Sequence, residues 1–232
     1  MRPKSDWLDA LPRTHCLAEF SLWSANLIGL EDDLTRVGNR ADIYHIDVAD
    51  GAFAPSLLFF PDLVAALRKK TAIPFHIHLM CADVVLLSQV DQFAEAGADM
   101  ISVHVENTNA AEAIARIKHY GLKAGAVLRV ETPVEAAQPL MDSLDILTLL
   151  GTKIGVKGQG LDPAATGRLG QAKALIAGRG VSGRCILAAD GGIRLETVPL
   201  LVAAGAQTVV MGSLAYGAPD LAARMQWLQG LR

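Results

Sequence analysis

The sequence predicts an α/β protein made of a single (β/α)8 barrel, the TIM-barrel architecture, with a short N-terminal extension. From residue 20 onward, short β-branched or apolar runs alternate with longer amphipathic stretches, which is typical of the βα units that build a parallel sheet. Eight such units in about 210 residues match the number and length that one closed barrel requires. We therefore assign residues 1–18 to the extension and residues 19–232 to the barrel. A doubly wound open sheet is the alternative.

Each predicted strand is followed by a stretch with helical periodicity, and several of these stretches end in glycine, as helix C-caps prefer. Three apolar residues at helical spacing in the extension, Trp7, Leu8 and Leu11, are expected to pack across the bottom of the barrel, with a subunit contact as the alternative. The strands are predicted at 20–25, 42–48, 74–80, 100–105, 123–129, 145–151, 185–190 and 208–212. The helices are predicted in LEDDLTRVG, PDLVAALRKK, LLSQVDQFAEAGA, AAEAIARIKHYG, VEAAQPLMDS, AATGRLGQAKALIAGRG, TVPLLVAAGA and PDLAARMQWLQGLR.

The composition excludes several classes of protein. Of the 232 residues, 51% are hydrophobic and 19% are charged, and the formal net charge is -3. No apolar run approaches the roughly 18–20 residues that cross a bilayer, and the charged N-terminus lacks the apolar segment of a signal peptide. A mildly acidic chain without a Lys/Arg cluster offers no surface for nucleic acid. We therefore expect a cytoplasmic protein that binds neither membranes nor nucleic acid.

The three cysteines do not form a recognisable framework. Cys16, Cys81 and Cys185 are odd in number, far apart and without CxxC spacing. Neither a disulfide network nor a thiolate zinc site is expected from this pattern. We interpret them as small buried hydrophobic residues.

Polar residues occupy the interior face of the predicted strands near their carboxyl ends. In the run YHIDV, His45 and Asp47 share one face because side chains alternate along a strand. By the same alternation His78 points inward, with His76 below it, and Asp190 ends the seventh strand. Barrel enzymes build their active sites at this end.

The residues His45, Asp47, His78 and Asp190 are therefore expected to meet at one mouth of the barrel. Each alone has a simpler explanation, since an interior histidine is often only hydrogen-bonded and an aspartate after a strand often caps a helix. Burying all four without partners would cost several kcal/mol for each polar group, roughly 2–7 even when neutral. Nitrogen and oxygen ligands of this kind suit Zn²⁺, Mn²⁺, Fe²⁺ or Co²⁺, of which we expect Zn²⁺.

Three glycine-bearing loops at the same end predict a phosphate site. The sequences DGGI at 190–193 and GSLAYG at 212–217 each lead into a helix start, where backbone N–H groups bind anions. The loop GTKIGVKGQG at 151–160 adds Lys153 and Lys157. Tight βα turns alone would also explain the glycines. Because three neighbouring loops share the pattern, we favour the phosphate site.

Six segments carry a resemblance to one family. In order along the chain they are SLWSANL, YHIDVADGAFAPSL, FHIHLM, AGADMISVHVE, LKAGAVL followed by TP, and AADGGI followed by AGAQTVVMGS. In this order and spacing the chain resembles the ribulose-phosphate 3-epimerase family. The resemblance implies a (β/α)8 barrel and a divalent metal bound by two His and two Asp, which here fall on His45, Asp47, His78 and Asp190.

The resemblance also implies a reaction. A phosphorylated ketose would bind the metal through its C2 carbonyl and C3 hydroxyl oxygens, and its C3 centre would be inverted through a metal-bound enediolate. Asp47 and Asp190 would be the acid and the base. We also expect a homo-oligomer. The residues expected around the substrate and its phosphate are Ser24, Met80, Arg129, Lys153, Gly155, Gly158, Gly191, Gly192, Gly212 and Ser213.

Several positions depart from the family pattern. Ala49 and Leu150 stand where the family usually has methionines, so that only Met80 remains of that group, and Arg129 precedes the T-P turn where asparagine or lysine is usual. The loop after the sixth strand has gained lysines and lost its proline and phenylalanine, and His76 replaces an acidic residue. We therefore expect the chemistry to be kept and the substrate, a pentulose, hexulose or tetrulose phosphate, to differ from D-ribulose 5-phosphate.

Other functions for such a barrel remain open. Sugar-phosphate decarboxylases carry a D-x-K-x-x-D pattern, and the comparable stretch at 47–50 reads DVAD, without lysine. A Schiff-base aldolase needs an inward lysine, and Lys123 lies too near the amino end of its strand. A non-catalytic sugar-phosphate-binding protein would have no need of two carboxylates beside a metal.

Overall fold

The computed structural model describes residues 1–181 and 183–231. Eight parallel strands form a closed barrel, because the first strand pairs with both the second and the last. A two-residue strand pairs antiparallel with the end of the second strand. The strands are β1 (Leu17–Ser21), β2 (Ile43–Asp50), β3 (Leu57–Leu58), β4 (Phe75–Met80), β5 (Met100–His104), β6 (Lys123–Leu128), β7 (Ile146–Leu150), β8 (Ile186–Asp190) and β9 (Thr208–Met211). The predicted (β/α)8 barrel is therefore confirmed.

Helices cover the outside of the barrel, apart from α1, which lies across its amino-terminal end. They are α1 (Trp7–Ala10), α2 (Leu30–Val37), α3 (Pro61–Arg68), α4 (Asp83–Ala96), α5 (Ala110–His119), α6 (Ala165–Gly178), α7 (Val198–Ala203), α8 (Ser213–Tyr216) and α9 (Leu221–Gln229). Between β6 and β7 the predicted helix VEAAQPLMDS is replaced by two 3-10 turns, Val134–Ala137 and Met141–Ser143. Pro139 lies between them and lacks the N–H that would continue a helix. Among the described residues, no helix has the length and hydrophobicity to span a bilayer.

The first strand differs from its prediction. The run at 20–25 was expected to be extended, but β1 spans Leu17–Ser21 and Leu22–Ser24 forms a 3-10 turn. The strand includes Glu19, which pairs in register with Ile43 and Val210. A charged residue interrupts the apolar pattern, which is why the prediction began one residue after it. As a result Ser24 lies beyond the strand.

Two apolar layers enclose the barrel. The larger lies between strands and helices and includes the alternate β2 residues Tyr44, Ile46 and Val48. The smaller closes the amino-terminal end, where Trp7 and Leu8 of α1 pack on a ring of strand residues. That ring consists of Leu17, Ile43, Met100, Ile146, Ile186 and Ala188. The cysteines Cys16, Cys81 and Cys185 are buried and unpaired, as expected.

Candidate active site

Two His and two Asp converge at the carboxyl ends of β2, β4 and β8. Asp47 and His78 are cross-strand partners, and Oδ1 of Asp47 lies 3.3 Å both from Nδ1 of His78 and from Nε2 of His45. Oδ2 of Asp190 lies 3.8 Å from the same two nitrogens. One ligand atom from each residue falls within 4.8 Å of all the others. The structure therefore brings together the four residues that the sequence predicted to meet.

This cluster fits a divalent metal. Nε2 of His45 is buried and has no hydrogen-bond partner in the described structure, although it faces Asp47 and Asp190. An unpartnered buried nitrogen is costly, and a cation among these groups would satisfy it. Two imidazole nitrogens with two carboxylates form a donor set that first-row divalent metals accept. The cluster could thus hold such an ion.

The two carboxyl groups of the cluster differ in proton affinity. Burial alone would raise the pKa of Asp47, but His45 and His78 hold it well below its usual range. Burial, together with the nearby negative charge of Asp47, raises the pKa of Asp190. Burial would lower the pKa of His45, yet its contacts with Asp47 and Glu19 raise it. Carboxyl groups whose pKa values are separated in this way can serve as an acid and a base.

A layer of polar side chains lies beneath the cluster. Oε2 of Glu19 lies 2.9 Å from Nδ1 of His45 and 2.7 Å from Nδ1 of His76. Nε2 of His76 lies 2.6 Å from Oγ of Ser102. The sequence analysis did not identify Glu19 or Ser102 as part of the site. Both occupy interior positions of their strands, so the alternation of side chains along each strand could have identified them from the sequence.

A second chain of hydrogen bonds extends sideways from His78. Its Nε2 lies 2.9 Å from Nε2 of His104, whose Nδ1 lies 2.9 Å from Oε2 of Glu106. Burial lowers the pKa of His104 to about 4, so its imidazole is neutral at pH 7. We assign its proton to Nδ1, facing Glu106, which makes His78 the donor between the two rings. The remaining nitrogen of His78, Nδ1, lies 3.3 Å from Oδ1 of Asp47 in the cluster.

Most of the predicted substrate residues line one cleft above the cluster. Gly212 and Ser24 illustrate how closely its walls approach, because a Cβ atom on Gly212 would lie 2.5 Å from Oγ of Ser24. His45 does not line the cleft and lies below it. The predicted residues that line it are Asp47, His78, Asp190, Ser24, Met80, Lys153, Gly155, Gly158, Gly191, Gly192, Gly212 and Ser213.

The loop at 151–160 packs against the loop after β2. Gly155 has a φ of +69°, and a Cβ atom there would lie 2.8 Å from Cδ of Pro55. Oγ of Ser56 donates a hydrogen bond of 2.8 Å to the carbonyl of Gly155. Ile154 packs on an apolar cluster that contains Met80. The loop therefore forms one wall of the cleft, and glycine is required where it approaches Pro55.

Three cations lie along this loop and its neighbour. Lys153 lines the cleft with an exposed side chain. Nζ of Lys157 donates to the carbonyl of Trp23 and lies 4.6 Å from the centre of its ring. Arg194, which the sequence analysis missed, also lines the cleft and donates a hydrogen bond of 3.0 Å to the carbonyl of Gln159. Its position directly after the DGGI motif could have identified Arg194 from the sequence.

Arg129 is the predicted substrate residue that the structure does not bring to the cleft. Its guanidinium carbon lies 4.1 Å from the ring centre of Phe53, and Nη2 donates a hydrogen bond of 3.1 Å to the Phe53 carbonyl. Its backbone N–H donates to Glu106 at 3.0 Å. Stacking of a guanidinium on an aromatic face is favourable, and it holds the Arg129 side chain against Phe53.

Fold and site together define a (β/α)8-barrel enzyme with its polar cluster at the carboxyl ends of the strands. A family model described as the ribulose-phosphate 3 epimerase family matches residues 17–216. The chain belongs to this family, and it is an isomerase of the carbohydrate epimerase class. The expected family membership is thereby confirmed.

Individual relatives agree with this assignment. The ribulose-phosphate 3-epimerase of Bacillus subtilis strain 168 is 35% identical over 202 residues, which cover 86% of this chain and 92% of that protein. The chloroplastic ribulose-5-phosphate-3-epimerase of Arabidopsis thaliana is 31% identical over 222 residues, or 94% and 78% of the two chains. The crystal structure of 3-hexulose-6-phosphate synthase from Salmonella typhimurium matches with a TM-score of 0.66 and 19% identity over 93% of this chain and 97% of that one, a likeness of fold.

Proposed function

We propose that this protein is a metal-dependent epimerase that inverts C3 of a phosphorylated ketose. The observation that carries the proposal is the pair Asp47 and Asp190, which come from two different strands, β2 and β8, to one buried cluster and have pKa values moved in opposite directions. The names of the relatives supply the substrate class, a pentulose phosphate with a reactive C3 centre.

Four side chains, His45, Asp47, His78 and Asp190, would hold the cation. When bound, a divalent ion polarises a carbonyl and stabilises negative charge that develops on oxygen. The chain contributes the orientation of the ligands, since Glu19 and His104 leave one imidazole nitrogen of each histidine directed at the cluster. Zn²⁺ is the ion that we propose, on the strength of its preference for such ligands.

Epimerisation requires one proton to leave C3 on one face and another to arrive on the opposite face. We assign these transfers to Asp47 and Asp190. As the carboxylate of one removes the C3 proton, the electron pair of the C–H bond moves toward the C2 carbonyl and an enediolate forms. The other carboxyl group then donates its proton to C3 from the opposite side. The two residues exchange roles when the reaction runs in reverse.

The phosphate group is assigned to the glycine loops. Gly191, Gly192 and Gly212 precede helix starts or tight turns where backbone N–H groups can approach an anion. Lys153 adds a positive charge to the same cleft. Leu150 and the loop at 151–160, which line the cleft, and Ala49, which packs with Met80, depart from the usual family pattern. We therefore propose a ketose phosphate other than D-ribulose 5-phosphate as the preferred substrate.

The decarboxylase and aldolase alternatives receive no support from the cluster. In the stretch Asp47–Asp50 no residue is a lysine, and the carboxylate of Asp50 accepts hydrogen bonds from the backbone N–H groups of Ala52, Phe53 and Ala82. Asp50 therefore holds the loop after β2 and is not available to a substrate.

Deuterium wash-in tests the proposed function. The protein is incubated in D₂O with a panel of tetrulose, pentulose and hexulose phosphates, and the products are followed by NMR. We expect deuterium at C3 together with the C3 epimer for one sugar, loss of both after exhaustive chelation, and recovery when Zn²⁺, Mn²⁺ or Co²⁺ is added. Full activity in protein shown to be metal-free would contradict the metal requirement. Absence of C3 exchange with every sugar would contradict the epimerase assignment.

A further inference from the structure

Glu19 is a carboxylate in the interior of the barrel, and its side chain is 0% exposed. It lies on β1, one layer below the Asp47 and Asp190 cluster. Its Oε2 atom accepts from Nδ1 of His45 at 2.9 Å and from Nδ1 of His76 at 2.7 Å. An ionised carboxylate buried without such donors would be strongly disfavoured. The charge of Glu19 is therefore retained at this position through the two imidazoles.

The contact between Glu19 and His45 determines which ring nitrogen of His45 faces the cluster. Because Nδ1 carries the proton that Glu19 accepts, Nε2 is the nitrogen left to face Asp47 and Asp190. Nε2 is the buried atom that has no hydrogen-bond partner among the described residues. The orientation of His45, with Nε2 toward Asp47 and Asp190, is thus a consequence of its hydrogen bond with Glu19.

His76 binds the same oxygen of Glu19, Oε2, as His45 does. It is the cross-strand partner of His45, and its Nε2 atom accepts from the hydroxyl of Ser102 at 2.6 Å. Both of its ring nitrogens are therefore engaged, and it fixes Glu19 without facing the cluster. The hydroxyl of Thr208 lies 3.5 Å from the other oxygen of Glu19, Oε1, a longer contact.

We propose that Glu19 is a positioning residue of the cation site, which acts through His45 and tightens metal binding. The inference rests on the proposed function, because it requires the cation site. A hydrogen-bonded carboxylate behind a histidine ligand typically contributes roughly 10- to 100-fold to metal affinity. Glu19 does not line the cleft, and its contact with the cluster runs through His45, so its effect should be on binding of the ion.

Cobalt titration tests the proposal. Metal-free wild-type protein and the Glu19→Gln variant are titrated with Co²⁺ against a competing chelator, and the visible spectrum of the bound ion is recorded. We expect the Kd of Glu19→Gln to rise roughly 10- to 100-fold, with an altered spectrum. The matched control is Thr208→Val, which removes the hydroxyl near Oε1 and leaves the contact with His45; its Kd should change less than about twofold, well below the range for the orienting contact.

The outcomes separate the possibilities. An unchanged Kd in Glu19→Gln, or an equal loss in Thr208→Val, would overturn the role of Glu19 while the cation site stands. Failure of the wild type to bind Co²⁺ would overturn the site and the inference together. If Glu19→Gln does not fold, NMR of the Zn²⁺-loaded wild type decides: a protected Nδ1–H on His45 supports the proposal, and a metal bound to Nδ1 overturns it.

Discussion

The Nε2 atoms of His78 and His104 lie 2.9 Å apart, so the two rings share a single proton inside the barrel. The pair is compatible with burial because His104 is neutral, its pKa lowered to about 4 by desolvation. Glu106 accepts from the far nitrogen of His104 and ends the chain. The proton on His78 is thereby directed away from Asp47, and its Nδ1 atom is directed toward Asp47.

Replacing His104 should disturb the site without touching the substrate. In His104→Phe, Nε2 of His78 loses its acceptor, and we expect metal affinity or activity to fall roughly 10- to 100-fold. The measurement is metal content after dialysis together with kcat for epimerisation. His119→Phe, an exposed histidine on α5, is the matched control and should behave as wild type. Equal activity in both variants would show that His104 only fills space.

Replacing Asp190 should separate binding from turnover. In Asp190→Asn the amide cannot exchange a proton at neutral pH, and kcat should fall roughly 10²- to 10⁴-fold. Substrate binding, measured by calorimetry, should persist. Metal content must be determined for the same sample, because loss of the ion would also lower kcat. Near-normal turnover in the metal-loaded variant would remove Asp190 from acid–base catalysis.

Replacing Lys153 should affect only phosphorylated ligands. A charge-assisted hydrogen bond contributes on the order of 1.5–3 kcal/mol, so Lys153→Ala should weaken binding of the ketose phosphate roughly 10- to 150-fold. Binding of the same sugar without phosphate should barely change. Lys173→Ala is the matched control, since Lys173 lines a separate cavity near Leu17 at the start of β1. An equal loss for both ligands, or for neither, would rule out a phosphate contact.

Replacing Asp99 should lower stability and leave the site intact. Nη1 of Arg68 lies 2.7 Å from Oδ2 of Asp99, and both side chains are nearly buried. Asp99→Asn leaves the guanidinium without its counter-charge, and the free energy of unfolding should fall by about 3–5 kcal/mol in urea denaturation. Asp91→Asn breaks the more exposed pair with Arg116 and should cost much less, because solvent screens an exposed ion pair. Similar losses in the two variants would contradict this difference.

The alternation of side chains along strands accounts for what the sequence predicted of the site. His45, Asp47 and His78 were placed on interior faces by that rule, and parallel strands bring their carboxyl ends together. Asp190 followed from its position directly before two glycines. These inferences depend only on the local order of residues along each strand, which can be read from a single sequence.

Partners across the barrel could not be predicted in the same way. Alternation shows that Glu19 and His104 face inward, but it does not say which neighbouring side chain each one meets, since register and rotamer decide that. Arg129 shows the same limit: its position at the end of β6 was predicted, whereas its stacking on Phe53 depends on the path of the loop after β2.

The apolar layer that contains Trp7 and Leu8 affects from which end of the barrel water and ligands reach the interior. Water needs several polar partners to occupy a protein interior, and the described residues of this layer offer hydrocarbon surface. Trp7 and Leu8 thus place hydrocarbon between α1 and the polar layer that contains Glu19. The cleft at the opposite mouth is where sugar and solvent reach the cluster, so we expect a ligand seated there to slow hydrogen exchange between the buried groups and bulk water.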